Sequence, residues 1–167
     1  MPIICCKNNV YMVFEDSAEA DNAVDFDEIF DRHFEVDELL VLPVIELNKR
    51  GYITVYSCSG HPFMWELTYQ NDEEEQQYEN PLFYEKDEHL YFYAYRRSIA
   101  EAYIKFEQEY KFKKLPDGWR YERDTLRFAF STDLSDYELH KVLIKAMDSL
   151  YAWACSLNFI NGKSNMQ

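Results

Sequence analysis

The stretch that decides the fold is residues 36–62, VDELLVLPVIELNKRGYITVYSCSGHP. Its apolar residues recur every three or four positions as far as Leu47, which predicts an amphipathic helix. Asp37 stands at the N-cap position, and Gly51 stands where a left-handed residue ends a helix. Pro43 has no amide hydrogen, so it is expected to remove one backbone bond and bend the helix.

A predicted strand at residues 52–57 follows this helix, and its alternation puts Ile53 and Val55 on one face. The strand leads into a turn with several reactive side chains: Ser57, Cys58, Ser59, Gly60 and His61. Three uses of the turn stay open. Its N–H groups can bind a phosphate or carboxylate, Cys58 can be a nucleophile with His61 as its base, or the turn is only a structural connection.

The run from Leu47 to His61, LNKRGYITVYSCSGH, resembles a motif of small, largely uncharacterised bacterial and phage-type proteins. Its four residues Ser57-Cys58-Ser59-Gly60 are similar to the start of the wybutosine-synthesising methyltransferases of the third step. Those enzymes modify a transfer-RNA base with S-adenosylmethionine and carry arginine where this chain has His61. The longer resemblance implies a lineage, and the shorter one implies an enzyme or ligand-binding protein that uses the turn.

The net charge of −14 excludes a surface that coats nucleic acid in general. Residues 15–38, the first acidic segment, hold eleven acids and one base; residues 70–89, the second, hold eight acids and one base. The two segments therefore carry −17, and the rest of the chain carries +3. Because such clustering adds no fold stability, it suggests docking on a basic partner, and the alternative interpretation is a plain solvated face.

The leading functional hypothesis is a non-catalytic binding protein of the phage or mobile-element accessory kind. Its acidic segments would dock on a basic protein and block it. A basic protein that itself handles nucleic acid is a candidate partner. The residues expected to approach that partner are Asp25, Asp27, Glu28, Asp31, Glu73, Glu74 and Glu75. No cofactor, resident metal, membrane contact or direct nucleic-acid binding is expected.

Basic and aromatic side chains also cluster, which suggests an alternative stacking surface for nucleic acid. The basic members are Arg96, Arg97, Lys105, Lys111, Lys113, Lys114, Arg120, Arg123 and Arg127. The aromatic members are Tyr93, Tyr95, Tyr110, Trp119 and Tyr121. A third possibility is a zinc site in which Cys58 and His61 are joined by Cys5 or His89, although no second pair of ligands is present.

The remaining sequence predicts mixed structure. Strands are expected at 3–6 and 10–14, where residues 7–9 allow a hairpin, and at 63–69 and 89–95. A turn is expected at 116–118, followed by a hairpin of strands 119–123 and 126–130 around Asp124 and Thr125. Polar loops are expected at 15–25 and 70–80, and a short helix at 26–34 with His33 exposed. The pairs Ser98–Glu101 and Ser135–Glu138 both have capping-box spacing and predict helices over 98–110 and 135–158.

The predicted fold class is α+β: a mainly antiparallel sheet of about four to six strands with about three substantial helices packed on one face. Residues 1–160 are expected to form a single domain, and residues 161–167 a disordered tail. The N-terminus has neither the basic region nor the apolar region of a signal peptide, and the four cysteines fit reduced thiols. A cytoplasmic location follows as an expectation.

Overall fold

The computed structural model describes residues 1–15, 17–22, 32–60, 68–71, 83–87, 90–94 and 98–160. Its strands are β1 Ile3–Lys7, β2 Val10–Phe14, β3 Arg32–Glu35, β4 Thr54–Cys58, β5 Thr68–Asn71, β6 Phe83–Asp87, β7 Leu90–Ala94, β8 Ile99–Phe106, β9 Arg120–Glu122 and β10 Thr125–Ser131. Its helices are α1 Ser17–Asn22, a 3-10 turn Glu38–Leu40, α2 Val41–Lys49 and α3 Asp136–Ser156.

The described strands form three sheets, in which every pairing is antiparallel. The strand orders are β2-β1-β3, β4-β8-β10-β9 and β5-β7-β6. The first of these is called the N-terminal sheet below. The α+β class and the antiparallel pairing are therefore confirmed. The four-stranded sheet lies within the predicted range of about four to six strands.

Helices α2 and α3 pack together on one face of the four-stranded sheet, and a single apolar cluster joins the three elements. Ile104 and Phe106 of β8 and Leu126 of β10 point into it, together with Leu47 of α2 and Leu150 of α3. All five of these side chains are fully buried. Burial of each of these large apolar side chains contributes about 1.5–3 kcal/mol to stability before entropy is counted.

Helix α2 ends as predicted. Gly51 has φ +95°, its N–H donates to the carbonyl of Asn48, and the N–H of Tyr52 donates to the carbonyl of Leu47. These two bonds define a Schellman motif. In place of the expected bend at Pro43, the helix is broken before Val41 by a 3-10 turn. Pro43 therefore lies in the first turn of α2, where amide hydrogens have no intrahelical partner.

Strand β4 is shifted by a bulge. Its register with β8 changes between Thr54 and Tyr56, so Val55 is the extra residue. The bulge interrupts the predicted alternation: Val55 is exposed, and the buried side chain of the strand is Thr54. The side-chain amide of Asn48 donates to the Thr54 hydroxyl at 2.9 Å, which satisfies this buried polar group from α2.

The pair Ser98–Glu101 does not begin a helix, and residues 99–106 form strand β8 instead. Its buried side chains alternate as Ala100, Ala102, Ile104 and Phe106. The chain pairs with β10 on one side and β4 on the other, so two ladders of backbone bonds outweigh a local helical signal. The predicted helix at 98–110 is therefore wrong.

The pair Ser135–Glu138 is a capping box, as predicted. The Ser135 hydroxyl accepts the N–H of Glu138 at 3.2 Å, and the N–H of Ser135 donates to the Glu138 carboxylate at 3.1 Å. Helix α3 follows and buries one stripe at helical spacing against the sheet: Leu139, Leu143, Ala146, Met147, Leu150, Trp153 and Ala154.

Two turns near the sheet edge agree with the sequence. Gly118 has φ +81°, and the N–H of Trp119 donates to the carbonyl of Pro116 at 3.1 Å. Strands β9 and β10 form the predicted hairpin, but its two turn residues are Arg123 and Asp124, one position earlier than expected. Arg123 has φ +57° there.

At the N-terminus, β1 and β2 form the predicted hairpin, and its two asparagines, Asn8 and Asn9, have positive φ. Two expectations are wrong. Residues 17–22 are helix α1 rather than loop, because Ala20 packs on the apolar face of the N-terminal sheet. Residues 32–35, which include His33 and Phe34, are strand β3 rather than helix, because they pair with β1.

Other predictions lie partly outside the described residues. Strand β7 agrees with the predicted strand at 89–95, and Gln70 and Asn71 belong to β5 rather than to a loop. The predicted structure at 26–31, 63–67, 72–80 and 161–167 lies outside the described ranges.

Candidate functional site

The turn after β4 is tied to the segment that enters α2. The backbone N–H of Ser59 donates to Oδ2 of Asp37 at 2.7 Å, and the Ser59 hydroxyl donates to the same oxygen at 3.0 Å. Asp37 stands at the N-cap position of the 3-10 turn but makes no side-chain cap bond. The turn therefore does bind an anion, and that anion is a carboxylate of the protein itself.

Gly60 holds the turn close to the core. Its φ is +83°, and a Cβ built on it would lie 2.7 Å from Cε1 of Phe130 and 3.3 Å from the backbone nitrogen of Ala102. Any side chain would thus meet both an unfavourable backbone conformation and the aromatic ring. Glycine at this position is required by packing alone, whatever the turn binds.

Cys58 is half-buried, and burial raises its pKa above the usual 9.0. The Gly60 N–H acts in the opposite direction and lowers the pKa, whereas the charge of Asp37 and a hydrogen bond to it raise the pKa further. The thiol is therefore protonated at neutral pH, which disfavours nucleophilic attack. His61, the predicted base, lies outside the described residues.

The two described members of the proposed zinc site, Cys5 and Cys58, lie on different sheets, and His61 and His89 lie outside the described residues. Cys5 lies on β1, fully buried beside Ile3 and Ala20, and burial raises its pKa to about 11. Cys58 ends β4, and all four cysteines are free. Within the described ranges, no group of three or more His, Cys, Asp or Glu side chains is arranged to hold a metal ion.

The seven acids predicted to contact a partner, Asp25, Asp27, Glu28, Asp31, Glu73, Glu74 and Glu75, lie outside the described residues. Other members of the first acidic segment are described. In the N-terminal sheet, Ile3 pairs with Phe14 on one side and with Glu35 on the other. Glu15 and Glu35 therefore lie at the same end of the sheet, about 10 Å apart across two strand spacings.

Glu19 reaches this end as well, because its carboxylate accepts the backbone N–H of Glu15 at 2.5 Å. Glu15, Glu19 and Glu35 are all exposed, and together they are called the acidic end of the N-terminal sheet. Neither Glu15 nor Glu35 makes an ion pair with any cation in the described part of the chain.

Carboxylates on α2 and on the four-stranded sheet behave differently, because arginine or lysine compensates them. Glu46 pairs with Arg50 at 2.7 Å. Glu101 pairs with two arginines, Arg120 at 2.8 Å and Arg127 at 2.5 Å. Glu46 and Glu101 differ in this respect from Glu15 and Glu35.

The predicted basic and aromatic surface separates into parts. Tyr110 and Trp119 are only 8% and 5% exposed. The indole N–H of Trp119 donates to the carbonyl of Ala146 at 3.2 Å, and the Tyr110 hydroxyl accepts the N–H of Ile53 at 3.1 Å. Both rings belong to the core, so neither can stack on a nucleic acid. Arg96, Arg97 and Tyr95 lie outside the described residues.

Several of the basic residues line a cavity of about 430 Å³ on the sheet face opposite the helices. Its lining residues are Tyr103, Lys105, Glu122, Arg123, Asp124, Thr125 and Arg127. The basic members could be grouped from the sequence, but Tyr103 could not, because residues 98–110 were predicted to be helical. Alternation of Glu101, Tyr103 and Lys105 between buried residues was the signal that could have located this face.

Comparison of the chain with protein-family models, with curated proteins and with solved structures found no match. Among the described residues, none of the helices is both long enough and apolar enough to span a membrane.

Proposed function

We propose that this protein is a non-catalytic binding protein of the phage or mobile-element accessory kind, which docks its acidic segments on a basic surface of another protein and blocks it. A partner that itself handles nucleic acid fits best, because such a protein carries a basic surface shaped for an anion. The observation that carries the proposal is the acidic end of the N-terminal sheet, where three exposed carboxylates gather and two of them, those of Glu15 and Glu35, make no ion pair within the described residues.

Electrostatics supports this assignment. Like charges held at one end of a sheet repel each other and weaken the fold, whereas solubility needs only acids spread over the surface. By comparison, Glu46 on α2 and Glu101 on β8 are each paired with arginine, whereas Glu15 and Glu35 make no ion pair within the described residues. Uncompensated carboxylates are instead suited to steering a basic partner and to forming ion pairs across an interface.

The contacts of the turn favour this class of function over an enzyme that uses Cys58. The two donors of Ser59 already bind Asp37, and the raised pKa of the Cys58 thiol leaves little thiolate at neutral pH. The turn is then a structural link between β4 and the segment before α2.

The first experiment identifies the partner by affinity purification from the native host followed by mass spectrometry. Association of the purified pair is then measured at low and at physiological salt. Three variants each lose three charges: Glu15→Gln with Glu19→Gln and Glu35→Gln; Asp25→Asn with Asp27→Asn and Glu28→Gln; and Glu73→Gln with Glu74→Gln and Glu75→Gln.

We expect the association rate constant to fall about tenfold at low salt in at least one of these variants, with a weaker salt dependence, because steering is lost. A matched control carries Glu107→Gln, Glu109→Gln and Asp133→Asn, which removes three exposed charges outside the acidic segments. If the control slows association as much as the other variants, or if none of them does, the acidic segments are not the docking surface.

A further inference from the structure

The cavity on the outward face of the four-stranded sheet has the size of a small-ligand site. Its volume of about 430 Å³ lies within the roughly 300–1,000 Å³ of such pockets. In the strand register Tyr103 is opposite Arg127, and Lys105 is opposite Thr125. Directly paired residues project from the same face of a sheet, so one aromatic ring and two cations meet there.

Arg123 at the rim of the cavity has an unfavourable backbone conformation. Its φ of +57° falls in the left-handed region, at a hairpin position where glycine or asparagine is usual. Its guanidinium makes no ion pair with the described residues. Non-glycine residues in such conformations concentrate at functional sites, which makes this arginine a candidate for ligand contact.

The other cations differ in how firmly they are held. Arg127 is anchored by Glu101 at 2.5 Å, and the same carboxylate holds Arg120 at 2.8 Å outside the cavity. Lys105 is only loosely paired, with Nζ 4.0 Å from Oδ2 of Asp124. The cavity therefore offers one oriented guanidinium, one guanidinium that no described carboxylate pairs with, and one loosely paired ammonium. This donor set is suited to a phosphate group.

Two carboxylates also line the cavity, and they narrow the ligand class. Glu122 is exposed, and Asp124 accepts a hydrogen bond from the Thr125 hydroxyl at 2.9 Å. Carboxylates repel a continuous phosphate backbone, but they accept hydrogen bonds from amino groups and sugar hydroxyls. The mixed charge and limited volume thus favour a compact ligand with one phosphate over a nucleic-acid strand.

We infer that this cavity binds a nucleoside monophosphate. Arg123 and Lys105 contact the phosphate, and the half-buried ring of Tyr103 stacks against the base. Glu122 and Asp124 accept hydrogen bonds from the ribose hydroxyls or from an amino group of the base. This site is separate from the acidic segments, so it does not depend on the proposed docking function.

The four ribonucleoside 5′-monophosphates are titrated into the full chain by calorimetry, with the ribonucleosides, inorganic phosphate and an oligothymidylate as comparison ligands. Amide resonances of Tyr103, Lys105 and Thr125 locate the binding. We expect at least one monophosphate to bind and to shift these resonances, with inorganic phosphate and the matching nucleoside both weaker.

The decisive variant is Arg123→Gly, because glycine relieves the backbone conformation while removing the cation. We expect its melting temperature to be unchanged or higher and its affinity for the monophosphate to be about tenfold or more lower. Lys113→Ala removes the same charge from an exposed residue outside the cavity and should bind normally.

Four results would each overturn the proposal. For the ligands, these are that no monophosphate shifts the cavity resonances at millimolar concentration, that inorganic phosphate binds as tightly as the monophosphates, or that only the oligothymidylate binds. For the variants, it is that Lys113→Ala weakens binding as much as Arg123→Gly.

Discussion

Two segments of this chain begin with the same local pattern, a serine followed three residues later by a glutamate. Ser135 and Glu138 cap the 21-residue helix α3, whereas Ser98 and Glu101 lie at the start of strand β8. Glu138 bonds back to the Ser135 backbone, but Glu101 reaches across strands to Arg120 and Arg127. A glutamate side chain therefore caps a helix in one segment and forms ion pairs on the face of a sheet in the other.

The period of the apolar residues separates the two cases. After Ser135, buried residues recur at three and four positions through Leu139, Leu143 and Leu150. After Ser98, the apolar residues fit a helical stripe and a strand alternation almost equally well. A capping box contributes only about 1 kcal/mol, so it cannot decide a segment whose periodicity is ambiguous.

The largest effect should come from the residue whose environment differs most between a helix and a strand over 99–106. Ile104 is fully buried in the observed strand, and Ile99 is 63% exposed, although the helical stripe would bury Ile99. We expect Ile104→Ala to lower the free energy of unfolding by about 2–5 kcal/mol and Ile99→Ala by about 0.5 kcal/mol or less. Urea denaturation of both variants measures the difference, and equal losses would contradict the strand.

A smaller effect should distinguish the two serines. Ser135→Ala removes the acceptor for the N–H of Glu138 and should lower the free energy of unfolding by about 1 kcal/mol. Ser98→Ala should change it by less than about 0.5 kcal/mol, because Ser98 is exposed and caps no helix. Thermal denaturation of the pair is sufficient, and a comparable loss from Ser98→Ala would mean that residue 98 has a capping role.

The smallest expected effect on stability concerns the turn after β4. Like the two serine–glutamate pairs, this turn is a local sequence pattern whose structural role depends on the residues around it. The raised pKa of Cys58 predicts that alkylation by iodoacetamide reaches half its maximal rate at a higher pH than alkylation of an exposed cysteine in an unstructured peptide. Asp37→Asn should lower that midpoint, because the carboxylate charge is removed while burial of the thiol remains. Peptide mass spectrometry resolves Cys58 from the other three cysteines.

A midpoint below that of the peptide cysteine would instead indicate an activated thiol and would favour the enzymatic alternative. The linked effect on stability has a definite sign. Because the folded state raises the pKa of Cys58, the stabilising contribution is complete below the pKa of the unfolded thiol and is lost as the pH rises through the pKa of the folded protein.

The candidate sites could be predicted only in part. The reactive turn was located because Gly60 and the preceding strand are sequence neighbours, but the role of Asp37 depends on a contact 22 residues away. Likewise, Arg123 and Lys105 were recognised as basic residues, but their shared cavity depends on the register between β8 and β10. No pattern within either strand specifies that register.

The sequence by itself determined the elements whose signals are local. The asparagine turn between β1 and β2, the glycine stop at Gly51 and the capped helix α3 are encoded within a few residues of one another. Hydrogen bonds of that short range form independently of the rest of the chain, so the residue types alone indicate them.

Only the tertiary structure decided the segments whose partners are distant. β8 became a strand because β4 and β10 supply its backbone bonds, and β3 became a strand because β1 does. Val55 turned outward because a bulge aligns β4 with β8. In each case the free energy of pairing and burial between distant residues exceeds the local preference, which is at most about 1 kcal/mol per residue for ordinary side chains.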